Sequence, residues 1–252
     1  MNYKNIKVEK RENYAIIEIA NNKNNSLDQK TLNEIGDATK NLNKSKEIKC
    51  IGLIGGPKFF SPGADIKELE KLDSKKAKKQ KLFSKVDDLQ KIDIPIISFV
   101  EGYALGGGFE LALSSDLIIA SSEAKFGFPE INIGLIPGIG GTQKSKKFIS
   151  QQNIKYLAMT GEIIDANTAM KIGIVSKIIQ EKEFKEYIYE FLDLLSSKPK
   201  QSLKIIKTLV NSNFSLDKGL KAERKQFYKL LDSKNKKIGI ESFFKKVKPK
   251  WE

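Results

Sequence analysis

Three consecutive glycines, Gly106-Gly107-Gly108, run straight into Phe109, Leu111, Ala112 and Leu113 at helical spacing, and no other stretch restricts the fold as much. The junction reads as a strand-to-helix turn. A turn of this kind leaves backbone N–H groups unpaired at the helix start, where they carry a partial positive charge. Because glycine lets the backbone approach a ligand closely, the turn is a candidate oxyanion hole. Pro95 to Val100 before it and Leu117 to Ala120 after it are strand-like apolar runs, and Ile48 to Ile54 is apolar enough for a strand buried on both faces. Strands alternating with helices in this order predict an α/β protein.

The flanking segments fit that class. Ile6 to Lys10 and Tyr14 to Ala20 alternate apolar and polar residues across Arg11-Glu12-Asn13, the pattern of a β-hairpin. Asn21 to Asn25 is a loop by composition, and Ser26-Leu27-Asp28 opens a helix from about Gln29 to Asn41. From Ser74 to Lys91, Leu82, Phe83, Val86 and Leu89 stand at helical spacing, which predicts one amphipathic helix preceded by a lysine-rich turn that acts as a lid. After Thr142 the chain turns helical, with Gly161 and Asp165 as stop and start signals and a short strand from Ile174 to Ile178. Helical patterns continue over Glu181 to Leu195, Gln201 to Val210, Leu216 to Leu231 and about Lys236 to Lys245. Ser196-Ser197-Lys198-Pro199 separates residues 1–195, the core, from a helical region over residues 196–252.

Two glutamates stand in apolar surroundings. Glu110 lies in the first turn of the helix after the glycines, where the bland reading is a carboxylate stabilised by the helix dipole. Glu130 sits in Phe126-Gly127-Phe128-Pro129-Glu130-Ile131, so its carboxylate is paired, solvated in a cleft or held with a raised pKa. Two carboxylates beside an anion hole are the parts for general acid–base work on a carbonyl substrate. The chain contains no histidine, which removes histidine-based triads, histidine-metal sites and the usual neutral-pH proton shuttle. Proton transfer then falls to carboxylates, lysines or tyrosines.

Gly102-Tyr103-Ala104-Leu105-Gly106-Gly107-Gly108-Phe109-Glu110-Leu111, Phe126-Gly127-Phe128-Pro129-Glu130 and Gly134-Leu135-Ile136-Pro137-Gly138-Ile139-Gly140-Gly141-Thr142-Gln143 resemble the crotonase (enoyl-CoA hydratase/isomerase) superfamily. Phe60-Ser61-Pro62-Gly63-Ala64-Asp65-Ile66-Lys67 matches the G-A-D-[IL]-K segment of that family. Four ordered motifs at family spacing make the likeness specific, and it extends over essentially all 252 residues. The resemblance implies an α/β fold with a core spiral of ββα turns and a C-terminal helical region that packs on neighbouring subunits in a trimer or a dimer of trimers. It implies that the amides of Ala64 and Gly107 hold a thioester oxygen. Ala64, Asp65, Ile66, Lys67, Gly107 and Gly138 then border the acyl-CoA, and Phe227, Phe243 and Lys246 line the CoA pocket, the last two across a subunit interface. Phe227 and Phe243 are equally readable as core residues.

With both glutamates present, the resemblance implies an enoyl-CoA hydratase that adds water to a trans-2-enoyl-CoA to give a 3-hydroxyacyl-CoA, as in fatty-acid β-oxidation. Glu110 is implied as the base that activates water and Glu130 as the source of the proton for the α-carbon. CoA is part of the substrate, and no separate cofactor or metal is implied. A Δ3-Δ2-enoyl-CoA isomerase is the alternative, although such relatives commonly rely on a single acidic residue and this chain keeps both. A more distant one is an RNA-binding protein of the same fold, because the net charge is +14 and residues 196–252 hold sixteen basic and five acidic side chains. No aromatic platform interleaves these lysines, so a solvated basic face is the simpler reading and no nucleic-acid partner is expected. Cys50 opens an apolar run and reads as a buried hydrophobe. No apolar run reaches membrane-spanning length and the N-terminus lacks a signal-like apolar stretch, so a cytoplasmic location without a membrane partner is expected.

Overall fold

The computed structural model describes residues 3–21, 24–81 and 83–252. Met1 and Asn2 of the N-terminus, Asn22 and Lys23 of the asparagine-rich stretch, and Leu82 of the lysine-rich stretch lie outside the described residues. Strands β1 (Ile6–Lys10) and β2 (Tyr14–Ile19) pair as the expected antiparallel hairpin. Helix α1 (Gln29–Lys44) starts at Asp28, whose carboxylate accepts the Thr31 N–H at 2.6 Å and so satisfies one of the free donors of the first turn.

The chain then repeats one unit. Strands β3 (Cys50–Ile54) and β4 (Phe59–Ser61) lead to the short helices α2 (Ile66–Glu70), α3 (Ser74–Gln80) and α4 (Ser84–Asp87). Strands β5 (Ile96–Val100) and β6 (Tyr103–Leu105) lead to α5 (Gly107–Ala112). Strands β7 (Leu117–Ser121) and β8 (Lys125–Gly127) lead through a 3-10 turn at Pro129–Ile133 to α6 (Gly141–Lys144) and α7 (Gln151–Thr160). Strand β9 (Ile163–Asp165), α8 (Ala166–Lys171), β10 (Lys177–Ile179) and α9 (Glu181–Ser196) complete the core. The first strand of each unit joins a six-stranded sheet ordered β1-β2-β3-β5-β7-β10, and the second joins a four-stranded sheet ordered β4-β6-β8-β9. Within each sheet the three units follow one another in parallel, so each ββα turn lies against the last. This is the spiral that the resemblance implies.

Continuous apolar strands are needed because the larger sheet is covered on both sides, and the two-residue strand period divides their side chains. Ala15, Ile17, Ile51, Leu53, Ile96, Val100, Ile118 and Ala120 face the main core, while Tyr14, Ile16, Cys50, Ile97, Phe99 and Ile119 pack under Phe184, Ile188 and Leu192 of α9. Cys50 is fully buried there, and burial pushes its thiol up to about 12, which suits packing and not nucleophilic work.

Some local readings are corrected. Residues 74–91 do not form one helix: α3 ends at Lys81 in a left-handed conformation (φ 50°), and α4 and a 3-10 turn at Asp88–Lys91 follow. The segment Ser74–Gln80 has only Ala77 as an apolar residue and buries nothing, so no core contact carries the helix through. Ile174 and Val175 are buried but irregular, and the strand there begins at Lys177. The C-terminal helices α10 (Lys200–Asn211), α11 (Leu216–Leu231) and α12 (Lys234–Lys245) bury no residue fully. Phe227 and Phe243 are therefore not core residues; they are 58% and 78% exposed. Helix α10 is fastened to the core by Lys207, whose ammonium lies 2.7 Å from Asp116 and donates to the Ile94 carbonyl at 2.9 Å. Among the described residues no helix is long and apolar enough to cross a membrane.

Candidate active site

The sequence-predicted residues Ala64, Gly107 and Glu130 follow β4, β6 and β8, neighbouring parallel strands of the smaller sheet. Strands in register lie about 5 Å apart, so the residues leaving their carboxyl ends are held side by side by the ladder itself. Gly108 brings the first two together. A Cβ on it would lie 2.2 Å from the Ser61 carbonyl oxygen, so only glycine allows α5 to start so close to the end of β4. The Ala64 amide nitrogen then lies 3.6 Å from where a Gly107 side chain would begin. Among the described residues neither the Ala64 nor the Gly107 N–H donates to a protein acceptor. The Leu27 N–H instead bonds the Gly63 carbonyl, and the Asp65 N–H the Leu27 carbonyl, which ties the Ala64 turn to the loop before α1.

Glu110 lies on α5 one residue after Phe109, and its side chain is 1% exposed. Its carboxylate is met by three backbone amides from the loop before α6 and the first residue of that helix: Gly141 and Ile139 donate to Oε1 at 2.6 and 2.7 Å, and Gly138 donates to Oε2 at 3.3 Å. Burial pushes the Glu110 carboxyl up, while these three amides and the Lys144 cation pull it down. Glu130 has no comparable support. Burial is the chief cause that pushes it up to about 7, and the nearby Glu110 charge adds to the effect. Its Oε1 lies over Gly106, where a Cβ would come within 2.8 Å, and its buried Oε2 has no hydrogen-bond partner among the described residues. Gly106 has φ 50°, a conformation that glycine adopts without strain.

Aromatic packing fixes the two glutamates relative to each other. The Phe109 ring stacks on Phe128 at 4.6 Å and tilts against Phe126 at 5.4 Å, all three fully buried, so α5 and the end of β8 move as one body. The arrangement sets a carboxylate held by amides, a carboxyl titrating near neutrality and two free N–H donors around one turn. A narrow, mostly apolar cavity of about 40 Å3 is lined by Ala64 together with Leu27, Leu69, Leu72, Phe83 and Ile139. Larger clefts exist, one of about 450 Å3 beside α9 among them, but neither the two glutamates nor the two amides line them. The convergence of polar groups marks the site better than cleft size does.

The other sequence-predicted residues have different settings. Asp65 caps α2, accepting the Lys67 N–H at 2.9 Å, and Ile66 and Lys67 are exposed at the start of that helix. Gly138 faces Glu110 through its amide. Phe227 packs against Tyr228 and Phe243 against Phe244, and Lys246 ends α12 with φ 54°; among the described residues no hydrogen bond or ring contact joins them to the glutamates. Sequence reasoning missed the Ile139 and Gly141 amides as ligands of Glu110. The signal was present, because Gly138-Ile139-Gly140-Gly141 enters a helix as Gly106-Gly107-Gly108 does.

Comparison with known proteins agrees with this fold. Residues 9–252 match the model of the family described as enoyl-CoA hydratase/isomerase. The chain is 37% identical to a probable mitochondrial enoyl-CoA hydratase of Dictyostelium discoideum, over 90% of this chain and 83% of that protein. It is 34% identical to a crotonyl-CoA hydratase of Syntrophomonas wolfei over 98% of both chains. Among solved structures, an enoyl-CoA hydratase subunit I from Geobacillus kaustophilus superposes with a TM-score of 0.93 at 36% identity, covering 99% of this chain and 98% of that one. This chain, with its ββα spiral and its paired glutamates, belongs to the enoyl-CoA hydratase/isomerase family.

Proposed function

We infer that this protein is an enoyl-CoA hydratase that adds water across the double bond of a trans-2-enoyl-CoA. Relatives named as enoyl-CoA and crotonyl-CoA hydratases, at 34 to 37% identity over most of the chain, support the reaction class. The observation that carries the mechanism is the placing of two differently tuned carboxyl groups beside two unpaired amides. The thioester oxygen accepts from the Ala64 and Gly107 N–H groups. Glu110, ionised, takes a proton from water as the water oxygen bonds to the β-carbon. The π electrons move toward the thioester and leave an enolate whose charge sits on the oxygen between the two amides. Glu130, which carries a proton near neutrality, delivers it to the α-carbon. The product is the 3-hydroxyacyl-CoA, with Glu110 protonated and Glu130 ionised. Exchange with solvent restores the starting state, and the reverse dehydration uses the same groups. CoA enters as part of the substrate, and the scheme uses no other cofactor.

An isomerase acting on a 3-enoyl-CoA needs one carboxyl group to carry a proton between carbons, whereas hydration uses both. Turnover of 2-enoyl-CoAs from C4 to C16, followed by loss of the conjugated-thioester absorbance, is expected to exceed turnover of the matching 3-enoyl-CoAs. Faster conversion of the 3-enoyl-CoAs would reverse the assignment. The exposed Phe227, Phe243, Phe244 and Val247 of the C-terminal region also support association with other copies of the chain, in the homotrimer or dimer of trimers that the resemblance implies, since exposed apolar side chains favour burial against another chain.

A further inference from the structure

Behind Glu110 lies a lysine that the mechanism has not used. Lys144, the last residue of α6, is 6% exposed, yet among the described residues its ammonium forms no ion pair. It donates to the Ser114 hydroxyl at 2.8 Å, and that hydroxyl donates to the backbone carbonyl of Glu110 at 2.9 Å. The Glu110 carbonyl is one of the orphan acceptors at the end of α5, because the Ser114 N–H turns to Leu111. Lys144 reaches the Ser114 hydroxyl by folding back over Gly140, where a Cβ would lie 2.8 Å from Lys144 Cε. At the opposite end of the same short helix, the Gly141 N–H holds the Glu110 carboxylate. Helix α6 therefore grips Glu110 twice, by the side chain from its first residue and by the main chain from its last.

We propose that Lys144, acting through Ser114, is a positioning residue for Glu110, locking α6 onto α5 so that the Gly138, Ile139 and Gly141 amides stay on the carboxylate. A buried cation without a carboxylate partner is costly, and a structural lysine is usually paired or exposed. Here it has a water-accessible side, since Lys144 and Ser114 line a cavity of about 410 Å3 together with Lys147 and the Lys207–Asp116 pair. Burial pushes the Lys144 ammonium down, while Asp87 and Glu110 pull it up and Lys147 opposes them. Among the described residues, the charged groups that bear on Glu110 are Lys144 and Glu130. Removing the Lys144 charge loosens the amide cradle and withdraws a cation that favours the ionised base.

This inference rests on Glu110 being the base, which the activity of Glu110→Gln tests separately. The experiment is steady-state hydration of crotonyl-CoA against pH by the full-length protein and its Lys144→Met, Lys144→Arg and Ser114→Ala variants, with melting curves for each. Lys144→Met is expected to lower kcat by about tenfold or more with KM changed far less, and Ser114→Ala to lower it by a smaller factor. In both, the acid limb of the kcat/KM profile moves to higher pH, and Lys144→Arg recovers most of the rate. If Lys144→Met does not fold, the rate and acid limb of Ser114→Ala decide the matter. Wild-type kcat and an unmoved acid limb in the folded variants overturn the proposal, as does a lowered melting temperature that is the only change.

Discussion

Glu130 is the carboxyl group whose charge the folded chain supports least, and its own behaviour offers tests apart from turnover. Its folded-state value of about 7 lies above the ordinary 4.5, so between those two values the folded chain binds the proton more tightly than the unfolded chain. The stability it contributes is fully present below about 4.5 and is lost as pH rises through about 7. Glu110, also raised, acts in the same direction. Melting temperatures of the wild type are expected to fall over that range, and Glu130→Gln should melt higher than wild type at pH 8 while being less active. A variant that melts lower at every pH would contradict the unsupported charge. The hydration profile is expected to be a bell whose basic limb lies near the Glu130 value, since the pair must hold one proton to react. At Gly106 the added methyl of Gly106→Ala meets Glu130 Oε1 at 2.8 Å and forces a φ of 50° on an alanine. That substitution should cost about 1 to 3 kcal/mol of stability and most of the activity; unchanged kcat would show that the contact is dispensable.

At the scale of elements, the stacked Phe109, Phe126 and Phe128 carry the alignment of α5 with the end of β8. Phe109→Ala is expected to cost about 3 to 5 kcal/mol in denaturant unfolding, and to lower kcat in whatever fraction stays folded. The Lys207–Asp116 pair plays the matching part for α10: Lys207→Met removes the cation from Asp116 and leaves it the Ile96 N–H and the Asn211 amide, and should cost about 1 to 3 kcal/mol. A loss within error of zero would mean that α10 is held by something else. Much of this architecture was legible. The hairpin, α1, the three long central strands and α7 to α11 follow from period, caps and glycine stops, as with Asp165 capping α8 and Gly161 ending α7 in a left-handed residue. The smaller sheet was not, because β4, β6, β8 and β9 are three residues each, too short for a period to register. The break at Lys81 was missed for a different reason: the regular spacing of Leu82, Phe83, Val86 and Leu89 begins only after it, and the lysine-rich residues before it offer no apolar face to hold a straight helix. Glu110 and Glu130 were legible as carboxylates in apolar context, but the amides that set them apart come from a loop some thirty residues on, which spacing alone does not bring near.

Over the whole molecule, the spiral explains why one short loop from each of three successive turns supplies the site: the turns stack in register, and the equivalent point in each meets its neighbours. Of the C-terminal helices α10 is tied to this core, while α12 leaves Phe243 and Phe244 each 78% exposed. Sedimentation is expected to give three times the 28.3 kDa chain mass or a multiple of it, and Phe243→Ser together with Phe244→Ser should shift the protein toward monomer; a wild-type monomer at micromolar concentration would contradict the assembly. What the protein does is tested most directly by one measurement, the rate at which crotonyl-CoA loses its conjugated-thioester absorbance at pH 7 with wild type, Glu110→Gln and Glu130→Gln. Each variant is expected to keep its fold and to lose about a hundredfold or more in kcat, whereas hydration at the wild-type rate by either one would contradict the two-carboxylate mechanism.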